Sequence, residues 1–238
     1  MPDYTLEITL LSDTAFSMGA GIAGLVDSEI QHDEYGLPTL SGRAIKGLLT
    51  NACSEILYAL GQATEEDRWV RAAQSLFGVH GEMIEAAGEL CIGDATLAPD
   101  LRASLAHTQS HPNPSVSCLE IIESLTDLRR QTAMNECGAP DDETLRAIRV
   151  LISGLTLYAP VHFAEDPEDD EKALFAACIK GVKRAGLGRN RGKGKLKFEL
   201  TGRSLDPKTF SETDSRPPDL IGEWFLLFQK AISQEAAA

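Results

Sequence analysis

No run of apolar residues approaches the roughly 18 that a membrane-spanning helix needs. Residues 1–11, MPDYTLEITLL, carry acids where a secretion signal would carry bases. A soluble, cytoplasmic protein is expected. Cysteine is scarce and scattered: Cys53, Cys91, Cys118, Cys137 and Cys178 are odd in number and far apart. That pattern excludes a disulfide framework and offers no zinc-ligand spacing, so reduced, mostly buried thiols are expected. Neither G-x-S-x-G nor H-E-x-x-H occurs, which removes direct support for the familiar hydrolase sites. Bases are also in deficit, 22 against 36 acids in 238 residues, and a net charge of −14 ordinarily argues against a nucleic-acid partner.

The deficit is uneven. Residues 176–198, AACIKGVKRAGLGRNRGKGKLKF, hold eight bases and no acid, leaving 14 bases against 36 acids elsewhere. An acidic body carries one concentrated basic site.

Apolar periodicity predicts a strand over 4–11, then a glycine-rich loop and a short ribbon turning at Tyr35-Gly36. A helix is predicted over 41–60, with Ile45, Leu48, Leu49, Ala52, Ile56 and Leu60 on one face. Thr64 to Phe77 reads as a second helix capped by Thr64 and closed by Gly78, and 88–97 returns to strand alternation. Residues 98–147 read as the least regular part, an insertion on the main core. The segment 148–163 is strand-like throughout, an acidic loop occupies 165–171, and a helix follows that places Lys180, Lys183 and Arg184 near its C-terminal end and stops at Gly186 and Gly188. A strand is expected over 195–201, and GEWFLLFQKAISQ fits either a strand or a helix. The mixture predicts one α+β domain over 1–238, with helices on one face of an antiparallel sheet.

The strongest local signal is the loop before the last strand. Gly186, Gly188, Gly192 and Gly194 permit backbone shapes that other residues resist, and Arg189, Arg191, Lys193 and Lys195 supply charge between them. Loop amides and guanidinium groups of this kind suit phosphate, hence a nucleic-acid backbone; a solvated basic turn that balances the acidic body is the plainer alternative. It is no nucleotide P-loop, because a helix precedes it and a strand follows. Gly42, Arg43 and Lys46 form a second basic feature, where a helix start with free amides can hold phosphate. Its plain alternative is an exposed, solvated helix face. Asp27 follows the first glycine-rich loop; a carboxylate there can orient a hydroxyl or hold a divalent cation against a phosphate, or simply accept from turn amides. Glu29, His32, Asp33 and Glu34 are close in sequence, but alternation spreads them over different faces. His107, His111 and Cys118 lack a metal-binding pattern because SHPNPS intervenes.

LVDSEIQHDEYGLPTLSGRAIKGLL at 25–49, LFG at 76–78 and GLGRNRGKGKLKF at 186–198 agree in order and spacing with the RAMP superfamily of CRISPR effector proteins, whose opening hairpin, Gly-x-x-x-Lys-Gly helix start and glycine-rich loop they resemble. Within it the chain looks most like a backbone subunit of a type III complex. The resemblance implies a modified ferredoxin-like, RNA-recognition-motif fold with a thumb inserted at about 98–147. It implies guide RNA held by Gly42, Arg43, Lys46, Lys183, Arg184, Gly186, Gly188, Arg189, Arg191, Lys193 and Lys195. It further implies that Asp27 cuts guide-paired target RNA with a divalent cation such as Mg²⁺, the RNA's own 2′-hydroxyl being the nucleophile, while base pairing reads the sequence. Partners would be guide RNA, target RNA, other RAMP-family subunits and the large signalling subunit, with no membrane. The helix start Ser41-Gly42-Arg43-Ala44 is nearer to type III-D-like variants than to the common Pro-Gly pattern. The acidic body suits docking to basic neighbours, and the alternative is a noncatalytic structural subunit that binds guide RNA and spaces or caps the filament.

Overall fold

A computed structural model describes residues 4–22, 25–62, 67–79, 88–110, 115–133, 136–139, 144–211 and 217–235. Strand β1 (Tyr4–Leu10) lies inside a four-stranded sheet with β2 (Leu90–Ile92), β5 (Thr156–Phe163) and β6 (Leu196–Thr201), in the order β2-β5-β1-β6. Each neighbouring pair is antiparallel. Strands β3 (Thr126–Gln131) and β4 (Arg146–Leu151) form a separate antiparallel ribbon.

Alternation decides the faces. Leu6, Ile8 and Leu10 of β1 register with Ala159 and Leu157 on one side and Leu200, Phe198 and Leu196 on the other, and all are buried on one apolar face. That face carries helices α1 (Gly42–Ala59), α2 (Arg68–Phe77), α5 (Asp169–Gly181) and α6 (Leu220–Glu235). Helix α5 sits among the other three, with residues 173–179 all buried. Phe163 of the sheet meets Phe175 of α5 edge-on at 5.5 Å, and Tyr4 meets Trp224 of α6 at 5.4 Å. Taking β1, β2, β5 and β6 with α1 and α5, the succession is β-α-β-β-α-β, which makes the fold ferredoxin-like.

Several local expectations shift. Thr64 lies outside the described residues, and Asp67 stands at the N-cap of α2; Gly78 does close that helix, at φ 83°. The segment 98–147 holds α3 (Pro99–Gln109), α4 (Cys118–Leu125) and β3, so much of it is regular. The run 148–163 is two strands of different sheets, split at Gly154, whose φ of 93° turns the chain. Helix α5 begins inside the acidic loop, where Glu168 and Glu171 form a capping box and acids suit the positive end of the helix. It ends at Gly181, since Val182 is extended; Lys183 and Arg184 therefore lie beyond it. The final apolar stretch is helical, burying Ile221, Trp224 and Ala231.

Candidate nucleic-acid interface and acidic cleft

The glycine-rich loop occupies the end of the sheet where β1 leaves and β6 enters, whereas the start of α1 packs on edge strand β2 and Asp27 on β4. The glycine-rich loop doubles back on itself: Ala185 N donates to Gly194 O at 2.9 Å and Leu196 N to Lys183 O at 3.0 Å. Its tip is a 3₁₀ turn, Arg189–Arg191, between left-handed Gly188 and Gly192. Gly194 is required twice over, by its φ of 72° and because a Cβ would stand 2.0 Å from Ala185 O. Residues 12–15 support the loop from below through Gly194 N to Asp13 O, Leu187 N to Ala15 O and Lys195 N to Ser12 Oγ, each between 2.9 and 3.0 Å.

The basic side chains divide by task. Arg184 donates to Lys193 O at 3.1 Å and Arg189 O at 3.5 Å, bracing the loop from within. Lys183, Arg189, Arg191 and Lys195 are exposed. Lys193 is half-buried, and burial lowers its pKa, with Arg129 and Arg191 adding repulsion and Asp13 opposing it. Arg129, on β3, reaches Asp13 at 2.6 Å and Asp127 at 3.1 Å. The β3–β4 ribbon thus joins the basic loop, a contribution that sequence reading missed.

At the start of α1 two of the expected free amides are occupied. Gly42 N donates to Asp94 Oδ1 at 2.8 Å, and Ala44 N to Ser41 Oγ at 3.3 Å. Gly42 is needed for contact between helix and sheet, since a Cβ would meet Ile92 O at 2.0 Å. Lys46 turns its ammonium onto Leu90 O at 2.7 Å, and burial lowers its pKa. Arg43 is exposed. A groove of about 280 Å³ lies between the helix start and the glycine-rich loop, lined among others by Phe16, Ser41, Ala44, Leu48, Gly186 and Leu187. Residues of both segments line this groove, but none of their Lys or Arg side chains does.

Asp27 stands in a second, open cleft of about 710 Å³, together with Gly21, Ile22, Leu25, Arg130 and Leu145. Two hydrogen bonds tie it to β4: its amide donates to Ala147 O at 2.8 Å, and its Oδ2 accepts from Ala147 N at 2.6 Å. The next residues continue the attachment, Arg149 N donating to Ser28 O at 3.0 Å and the Arg149 guanidinium pairing with Glu29. Of the other nearby polar residues, Asp33 pairs with Arg102 and His32 contacts its own turn; neither lines the cleft, nor does Glu34. No cluster of three or more His, Cys, Asp or Glu side chains suited to a metal occurs among the described residues. Asp27 is a single carboxylate, a donor set that fits Mg²⁺ where substrate phosphate and water complete the shell.

The sheet face away from the helices is covered in part by the chain itself. Arg203 donates to Glu7 at 2.9 Å with both side chains buried, and its guanidinium lies over Phe210, which meets Tyr158 edge-on at 5.0 Å. No helix among the described residues is long and apolar enough to cross a membrane.

No protein-family model and no curated protein matches the sequence. Solved structures do. A chain of the Type III-B Cmr-beta apo state, determined by cryo-EM, superposes with a TM-score of 0.58 at 14% identity, covering 83% of this chain and 96% of that one. A chain of Type III-B Cmr-beta bound to cognate target RNA gives the same TM-score and coverage at 12% identity. At these identities the likeness is one of fold: this chain shares the ferredoxin-like fold of the Type III-B Cmr-beta chains.

Proposed function

We propose that the chain is a backbone subunit of a type III CRISPR effector complex, a RAMP protein of III-D-like type, which binds guide RNA and cleaves guide-paired target RNA at Asp27. The fold likeness to Type III-B Cmr-beta chains, one of them bound to cognate target RNA, supports the setting. The observation that carries the cutting role is the placement of Asp27, fixed on Ala147 in an open cleft on the ribbon whose Arg129 adjoins the basic loop. Guide phosphates would run along Arg43, Lys183, Arg189, Arg191, Lys193 and Lys195, with Gly186 and Gly188 allowing close backbone approach. The segment 98–147 would serve as the thumb, and the acidic remainder would face the other subunits, including the large signalling one.

Because RNA supplies its own 2′-hydroxyl, the protein needs to position and to stabilise charge more than to build a triad. A divalent cation, Mg²⁺, held by Asp27 would supply charge neutralisation at the phosphate. Asp27 would orient the hydroxyl through the oxygen that Ala147 does not hold. The isolation of that carboxylate among the described residues favours a second reading, a noncatalytic structural subunit that binds guide RNA and spaces or caps the filament.

One assay separates the two. Target-RNA cleavage is compared in the reconstituted complex with wild-type subunit or Asp27→Ala, in Mg²⁺ and in EDTA, with guide binding checked in parallel. Loss of the metal-dependent cuts in the variant alone supports the catalytic reading. Persistence of every cut, with assembly weakened by substitutions in 186–195, supports the structural one.

A further inference from the structure

Four arginines lie on the β3–β4 ribbon, and their partners differ. Arg129 is held by Asp13 and Asp127, and Arg149 by Glu29. Arg146 is exposed and does not line the Asp27 cleft. Arg130 does line it, is exposed, and makes no ion pair among the described residues, with Asp27 or any other acid. Its position is set by the ribbon: Arg130 registers directly opposite Ala147, the residue whose amide holds the Asp27 carboxylate. Directly opposed residues of an antiparallel pair carry their side chains on the same face. Anion and cation thus flank one open space without touching.

We infer that Arg130 grips a non-bridging oxygen of the scissile phosphate across the cleft from Asp27, acting as a catalytic residue for target cleavage. This rests on the assignment of cutting to Asp27. In the step, the 2′-oxygen forms a bond to the adjacent phosphorus and the bond from phosphorus to the 5′-oxygen breaks. The 2′-hydroxyl proton passes to Asp27 or to solvent, and the leaving 5′-oxygen takes a proton from water. The products are a 2′,3′-cyclic phosphate and a 5′-hydroxyl. Negative charge builds on the phosphoryl oxygens as the fifth bond forms, and a guanidinium offers two parallel donors to such oxygens. Ile22 and Leu25, each about half exposed, and the more exposed Leu145 give the cleft apolar walls that strengthen this contact once RNA excludes water.

The test uses the reconstituted complex with guide RNA and saturating target under single-turnover conditions. Arg130→Ala is expected to slow cutting by about 100-fold, with guide and target affinity within about twofold, and Arg130→Lys to recover much of the rate as a point charge. Sulfur replacing one non-bridging oxygen at the cut site should slow wild type in one stereoisomer and lose that selectivity in Arg130→Ala. Unchanged cutting by Arg130→Ala, or an unchanged stereochemical preference, overturns the inference while leaving Asp27 in place. Cutting that survives Asp27→Ala overturns the underlying assignment, and this inference with it.

Discussion

The Arg149 guanidinium lies 2.8 Å from the Glu29 carboxylate, and the two side chains are only 6% and 7% exposed. Arg149 also donates to Thr126 Oγ1 at 3.1 Å, so one buried cation fastens the Asp27 loop to β4 and to the beginning of β3. A buried ion pair is weak evidence of net stability, but removing one partner strands the other charge away from water.

Arg149→Ala is accordingly expected to destabilise the fold by about 3–5 kcal/mol. The double replacement Glu29→Leu with Arg149→Met, which leaves no charge to desolvate, should lose far less. Urea unfolding of the three proteins checks this, read from midpoints at a common slope. A single variant as stable as wild type would mean that water reaches the pair.

In the glycine-rich loop, two glycines with nearly the same backbone angle should respond differently. Gly192 has φ 85° with nothing near its absent Cβ, so Gly192→Ala meets only the left-handed backbone penalty, about 1 kcal/mol. Gly194→Ala adds a methyl against Ala185 O and must open the loop at the Ala185 N to Gly194 O hydrogen bond. Hydrogen exchange at the Ala185 amide should accelerate strongly in the second variant alone, and guide affinity should fall with it.

These contacts also show which parts of the molecule local pattern could reveal. Strand β1, the Ser41-capped helix and β6 are legible because apolar period, cap and glycine agree there. The split of 148–163 is not, because two buried strands joined by Ser153-Gly154 look like one apolar run. Helix α3 buries no residue and so carries no apolar stripe to read. The loop charge was legible as composition, whereas the division between Arg184, whose guanidinium is held by loop carbonyls, and Arg189, which makes no such contact among the described residues, depends on carbonyls that only the fold brings together. Arg129 and Arg130 sit in a stretch without local signal, and their importance comes from the pairing of β3 with β4 across 14 intervening residues. Lys46 was prominent in the sequence for its place in the first helical turn, yet its ammonium meets a strand carbonyl.

That last difference leads to a salt experiment. A cation that contacts a phosphate of single-stranded RNA releases counterions, and losing it flattens the plot of log affinity against log salt by about 0.7. Arg189 and Arg191 are exposed at the loop tip, so Arg189→Ala or Arg191→Ala should each flatten guide binding by about that amount in the assembled complex. Lys46→Met should leave the slope unchanged and act on stability instead, because the wild-type ammonium is held at Leu90 O. Its stability effect should depend on pH with a definite sign. Burial lowers the Lys46 pKa below its ordinary 10.5, so between the lowered value and 10.5 the unfolded chain binds more protons than the folded one. Wild-type stability relative to Lys46→Met should therefore rise with pH through that window. A flattened salt slope in Lys46→Met would instead show that RNA draws the ammonium off the strand and onto a phosphate.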